Sequence, residues 1–279
     1  MHNPFSETVG VSTLSPEPST TLSVIPIPGP EGAVEIAWDG EMARSRGVFG
    51  FDSMDARSRS FNLIRARLLE LNQKRGWRMI GVVSATPNVG KSFISANVSA
   101  SLSRDPRFRT YVVDLDLRRG SLSDFFGLAP EQGLRDYLQG APGVDAPAVY
   151  HLEGERLLIL PTLAGRTHSA ELLAGERAQT LLRSMRASDE KNLFIVDLPP
   201  VFANDDASTA MGRLDGYIVV AEEGKTKQRE IQDAVGLLGE ARLAGVILNK
   251  YRGGVVSEGY GVDDYYAAGY GQVEAGSKE

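Results

Sequence analysis

The sequence predicts an α/β domain in which helices cover both faces of a mostly parallel central sheet. Two observations point there. Short apolar runs rich in β-branched residues recur along the chain, and several of them close on a carboxylate. Segments with apolar residues three and four positions apart separate these runs, which is the spacing of one helix face. Strands alternating with helices are the pattern of a parallel sheet, whose crossovers need a helix. At 279 residues the chain is long enough for one such domain with a sizeable core, plus tails.

Residues 1–45 hold six of the 14 prolines with many Ser and Thr, and the first Lys or Arg is Arg44. That composition predicts a disordered, mildly acidic arm, with the ordered domain over 46–250. Inside the arm, 33–38 reads either as a short strand or as a peptide-like anchor. Residues 55–75 read as a helix with Phe61, Ile64, Leu68 and Leu71 on one face. Residues 80–83 read as a buried strand, 84–90 as a turn, and the spacing Ile94, Val98, Leu102 as a helix starting near Lys91. A second strand is expected over 109–116. The stretch 120–150 reads as a mixed excursion with a short helix near 134–138. A third strand follows at 156–161, one amphipathic helix at 170–185, a fourth strand at 192–197 and a fifth at 215–221. A helix at 226–238 and a sixth strand at 244–249 complete the domain. Glycine then prevents stable helix or strand over 251–279, where five of the nine tyrosines lie.

The net charge of −6 gives no nucleic-acid footprint. There is no cysteine, so disulfides and thiolate-ligated zinc are excluded. His2, His151 and His168 show no metal-ligand spacing. No apolar run approaches the about 18–20 residues needed to span a bilayer, and the first residues lack the basic and apolar regions of a signal peptide. A soluble, intracellular protein is expected.

The chemistry concentrates where the first strand turns into its helix, at Ser84-Ala-Thr-Pro-Asn-Val-Gly-Lys-Ser92. A strand, a tight loop and a helix beginning at Gly-Lys-Ser form the context of a phosphate-binding P-loop, with Ala85 in the place of its usual first glycine. Backbone N–H groups of the loop and of the new helix converge there on an anion. The expected nucleotide contacts are Thr86, Pro87, Asn88, Val89, Gly90, Lys91, Ser92 and Phe93. Lys91 supplies a point charge to the β- and γ-phosphates and the Ser92 hydroxyl a ligand for Mg²⁺. The second strand ends in Asp114 and Asp116, which side-chain alternation places on one side, at the end of a parallel sheet where ligands sit. Paired acids there can hold Mg²⁺ with its waters or accept a proton from a nucleophile. Asp197, closing an apolar strand, reads as a Walker B acid that holds Mg²⁺ through a water. Arg118-Arg119 reads as a solvated pair or a phosphate contact. Asn249 ends the last strand, where a nucleobase can lie. Asn249-Lys-Tyr-Arg lacks the Asp of a guanine-reading Asn-Lys-x-Asp, which favours ATP over GTP. Tyr251, Tyr260, Tyr265, Tyr266 and Tyr270 read as a flexible strand of substrate hydroxyls or as a low-complexity tail.

Several motifs occur together in order: the loop above, Val113-Asp-Leu-Asp-Leu-Arg-Arg-Gly, Leu134-Arg-Asp-Tyr-Leu-Gln-Gly, Glu171-Leu-Leu-Ala-Gly-Glu-Arg, Val196-Asp-Leu-Pro-Pro-Val-Phe-Ala and the tyrosine tail. From about Phe61 to Tyr270 the chain resembles the bacterial tyrosine kinases, P-loop proteins with a partition-ATPase-like fold. The resemblance implies ATP and Mg²⁺ as cofactors and autophosphorylation of the C-terminal tyrosines. It makes Asp114 and Asp116 the Walker A′ acids, one of them a base for the tyrosine hydroxyl. It also implies a membrane polysaccharide co-polymerase as activating partner, a homo-oligomer and a cognate tyrosine phosphatase. Capsule or exopolysaccharide synthesis is the process, and the inner face of the plasma membrane the place, of an otherwise cytoplasmic protein. The family's loop reads Pro-Gly-Glu-Gly-Lys-Ser where this chain has Pro87-Asn-Val-Gly-Lys-Ser. Its Glu-x-x-Arg-x-x-Arg assembly pattern is met here by Arg59, Asn62 and Arg65, and only the last agrees. Two further readings are a partition-type ATPase switch, whose extra loop lysine is replaced by Thr86, and a non-catalytic regulatory scaffold.

Overall fold

The structure is a computed structural model that describes residues 24–165, 167–203 and 206–251. The described residues build one eight-stranded sheet. Its strands are β1 (Val34–Ile36), β2 (Met79–Val83), β3 (Arg109–Asp114), β4 (Tyr150–Leu152), β5 (Leu157–Leu160), β6 (Asn192–Asp197), β7 (Gly216–Glu222) and β8 (Leu243–Asn249). Their order is β1-β4-β5-β3-β6-β2-β7-β8, and every pairing is parallel except β4 with β5. The helices are α1 (Gly40–Ser45), α2 (Arg59–Arg75), α3 (Lys91–Ser103), α4 (Leu122–Phe126), α5 (Leu134–Gln139), α6 (Ser169–Ala174), α7 (Glu176–Ala187), α8 (Asp206–Met211) and α9 (Gln228–Leu238).

Side-chain alternation sorts the central strands onto two faces. Met79 and Val83 of β2, Tyr111 and Val113 of β3, and Phe194 and Val196 of β6 pack under α5–α9. Ile80 and Val82 of β2 and Leu193 and Ile195 of β6 pack under α2 and α3, while Val112 of β3 meets α1, α3 and α4. Strands buried on both faces are continuously apolar, which is why 80–83 and 192–197 are legible as runs. Tyr111 stacks on Phe194 with ring centroids 4.9 Å apart. α2 buries Phe61, Leu68 and Leu71, three of the four residues expected on that face; Ile64 is partly buried at its margin.

Four expectations change. The arm expected over 1–45 contains β1 and α1; β1 pairs with β4, so 33–38 holds a strand, and Trp38, Ala43 and Val48 enter the core. The ordered domain therefore begins before residue 46. The single helix expected over 170–185 is two, because Gly175 is extended (φ −67°, ψ 165°) and caps α7. The second strand stops at Asp114, with Asp116 in the turn beyond it. The excursion over 120–150 also holds α4 and the start of β4, a strand antiparallel to β5 that the third-strand reading overlooked. Residues 1–23 of the arm and 252–279 of the tail lie outside the described residues.

Candidate functional site

The site forms where β2, β3 and β6 end together. Ile195 of β6 and Val112 of β3 point toward α3, so two residues on, Asp197 and Asp114 point there too. These two are direct partners across the β3–β6 ladder. α3 begins at Lys91 beneath the same strand ends. Ser92 Oγ donates to Asp197 Oδ2 at 2.6 Å, Ser95 Oγ donates to Asp197 Oδ1 at 3.1 Å, and Ser121 Oγ donates to Ser92 Oγ at 2.6 Å. Asp114 is held differently: its two oxygens accept the backbone N–H groups of Asp116, at 3.2 Å, and Leu122, at 3.1 Å.

Burial sets the electrostatics. Asp114 and Asp197 are fully buried. Burial raises Asp197; Lys91 and the Ser92 and Ser95 hydroxyls oppose the rise and Asp116 adds to it, leaving the carboxyl at about 6. Burial, then the charge of Asp197, raises Asp114 well above the usual carboxylate range. Asp116 is nearly buried, and its carboxylate makes no hydrogen bond to the described residues. Two adjacent acids that oppose each other's ionisation, with a hydroxyl alongside, form an all-oxygen donor set that a divalent cation would relieve. Among the described residues no three Asp, Glu, His or Cys side chains form a metal cluster, so Asp114, Asp116 and Asp197 do not make a three-acid cage. The set fits Mg²⁺, which keeps several waters and shares its remaining positions with phosphates.

The loop has the backbone an anion cradle needs. Gly90 sits at φ 94° and Asn88 at φ 66°, the left-handed region that asparagine tolerates better than other non-glycine residues. The substitution of the family's glycine is thus accommodated. At Gly90 a side chain would be strained by the backbone and would push aside the Asn249 amide. Asn88, Gly90, Lys91, Ser92 and Phe93 line a cavity of about 440 Å³ with Arg119, Ser121, Asp124, Phe125 and Lys250.

Of the expected contacts, Thr86, Pro87, Val89 and Asn249 do not line this cavity. Thr86 turns its carbonyl to Ser84 Oγ at 2.6 Å, Pro87 is exposed, and the Val89 side chain is buried in the core between α2, α3 and the sheet. Phe93 does line the cavity, and its ring packs against Phe49, Phe61 and Phe125. Asn249 spends its amide on the loop, donating to the Val89 carbonyl at 2.7 Å. Arg118 donates to Ser169 Oγ at 2.8 Å, whereas Arg119 reaches the loop at Asn88 Oδ1, 2.5 Å away. Tyr251 is exposed directly after Lys250; Tyr260, Tyr265, Tyr266 and Tyr270 lie outside the described residues. Ser95, Ser121, Lys250 and Glu222 were missed. Ser95 carried a signal, since it lies three residues after Ser92 on one helix face; Ser121 carried none.

Comparison with known proteins agrees with this geometry. The chain is 30% identical over 173 residues to the tyrosine-protein kinase ptk of Acinetobacter johnsonii, a match covering 61% of this chain and 23% of that protein. It is 33% identical over 179 residues to the succinoglycan biosynthesis transport protein ExoP of Rhizobium meliloti, covering 62% and 22%. The chain thus spans about a quarter of the length of the curated relatives it matches. Among solved structures, the kinase domain of the Escherichia coli tyrosine kinase ETK superposes with a TM-score of 0.60 at 27% identity, covering 70% of this chain and 77% of that one. The likeness to bacterial tyrosine kinases read from the motifs therefore extends to both sequence and fold. No helix of the described residues is long and apolar enough to cross a membrane. Over residues 59–263 the chain matches the family model described as the CobQ/CobB/MinD/ParA nucleotide binding domain, and it belongs to that family.

Proposed function

We propose that this chain is an ATP-dependent protein-tyrosine autokinase that phosphorylates its own C-terminal tyrosines. The observation that carries the proposal is the hydroxyl–carboxylate chain Ser121–Ser92–Asp197 at the foot of the phosphate loop, next to Asp114, with the root of a tyrosine-rich segment at Tyr251 beside that loop. The curated relatives named tyrosine-protein kinases support the same reading.

In this reading the loop N–H groups and Lys91 bind the β- and γ-phosphates of ATP. Ser92, Asp197 and Asp114 would hold Mg²⁺, which would supply charge neutralisation at the transferring phosphoryl group. Asp114, anchored through two backbone N–H groups, fixes the turn that carries Asp116. Asp116, whose carboxylate is uncommitted, takes the proton of the attacking tyrosine hydroxyl. The phosphoryl group moves to the tyrosine oxygen, the bond to the β-phosphate oxygen breaks, and ADP leaves. Each phosphotyrosine adds about −1.5 to −2 charges to an acidic tail, and repulsion then releases the tail. The relative named for succinoglycan biosynthesis and transport supports a role in polysaccharide export. On that reading a membrane co-polymerase recruits and activates the chain at the inner membrane face, copies of the chain phosphorylate one another, and a tyrosine phosphatase resets them.

The test is to incubate phosphatase-treated protein with ATP and Mg²⁺ and follow phosphotyrosine, with Lys91→Met as control. Phosphotyrosine on the tail in the wild type alone supports the proposal. None, even with a co-polymerase cytoplasmic segment present, removes it.

A further inference from the structure

Among the described residues two non-glycine residues have positive φ, Asn88 at 66° and Lys250 at 57°, and they touch each other. Lys250 Nζ donates to the Asn88 carbonyl at 2.7 Å. Its neighbour Asn249 donates from Nδ2 to the next carbonyl, that of Val89, at 2.7 Å. Glu222, at the end of β7, accepts from Lys250 at 3.1 Å and holds the ammonium in place. That same contact, more than any other, keeps the Glu222 carboxyl below the usual range. Left-handed backbone outside glycine persists only where the surroundings over-determine it, and such positions gather at functional sites.

The geometry of a peptide group gives these contacts a consequence. In a trans peptide the C=O and the following N–H point in opposite directions. The Asn88 carbonyl shares its plane with the Val89 N–H, and the Val89 carbonyl with the Gly90 N–H. Drawing both carbonyls toward the end of β8 turns both N–H groups away from it. We propose that Asn249 and Lys250 are positioning residues, a two-point carbonyl clamp that orients the Val89 and Gly90 N–H groups for phosphate. This deepens the nucleotide reading above and rests on it. It also moves Asn249 from the nucleobase to the loop: the absence of a side chain at Gly90 lets its amide reach across.

Calorimetry on the full chain with ADP and Mg²⁺, and competition with adenosine, separates a phosphate clamp from a base contact. Lys250→Met keeps the stem and removes the donor. It should weaken ADP about two- to tenfold, the range of one lost hydrogen bond, and leave adenosine unchanged. Lys250→Arg should restore most of the loss. Asn249→Leu should likewise weaken ADP and spare adenosine. Wild-type ADP affinity in Lys250→Met, or an equal fall for ADP and adenosine in either variant, overturns the clamp. A wild-type chain that binds neither ligand overturns the nucleotide reading beneath it.

Discussion

Asp114 and Asp197 lie directly opposite each other on adjacent parallel strands, both fully buried and both facing the first turn of α3. Parallel partners with equal parity share a face, so two strands that end in aspartate place two carboxylates together. Neither ionises as an exposed carboxyl does.

That relationship makes stability depend on pH. The Asp197 carboxyl is about 6 in the folded chain against about 3.9 when unfolded. A raised folded value means that the native state binds the proton more tightly. The resulting stabilisation is complete below about pH 4 and is lost as the pH rises through about 6. Its size is of order 2–3 kcal/mol. Asp197→Asn should therefore gain stability relative to wild type between pH 4 and 7 in nucleotide-free protein. Denaturation midpoints across that range check it, and a wild-type–variant difference that ignores pH contradicts it.

Cation loading should expel the same proton. Binding of nucleotide with Mg²⁺ at pH 6 should release more protons than at pH 8, where the carboxyl is already ionised. Binding heats at pH 6 should then vary with the ionisation enthalpy of the buffer. Heats that are the same in every buffer would show that Asp197 does not change its protonation.

The left-handed Asn88 predicts a ranking of loop variants. Asn88→Gly and Asn88→Val both lose the contact with Arg119, but only glycine accepts φ 66° freely. Asn88→Val should cost about 1–2 kcal/mol more than Asn88→Gly. Thermal melts and ADP affinity read the difference, and equal behaviour of the two would remove the backbone explanation.

Gly81 tests the packing that carries the loop. A Cβ there meets Leu198 Cδ1 at 2.9 Å, Met211 Sδ at 3.0 Å and Leu214 Cδ1 at 3.1 Å. Overpacking of a dense core costs about 1–3 kcal/mol, offset in part by the restricted unfolded chain. Gly81→Ala should lose about 1–2 kcal/mol in chemical denaturation; a neutral result would mean that α8 yields to the methyl group.

The sequence by itself determined the alternation of strands and helices, because a strand buried on both faces must be apolar throughout and a covering helix must carry a stripe. It also determined the loop before Lys91 and the strand-end acids, because local spacing alone specifies them. The register that sets Asp114 against Asp197 was beyond it, as were the entry of 33–48 into the core and the break at Gly175. Those depend on contacts between residues far apart in the chain. Only the tertiary structure showed that Asn249 and Lys250 grip the Asn88–Val89 carbonyls, since residues 160 positions apart meet there. The role of a side chain follows from what the fold places opposite it.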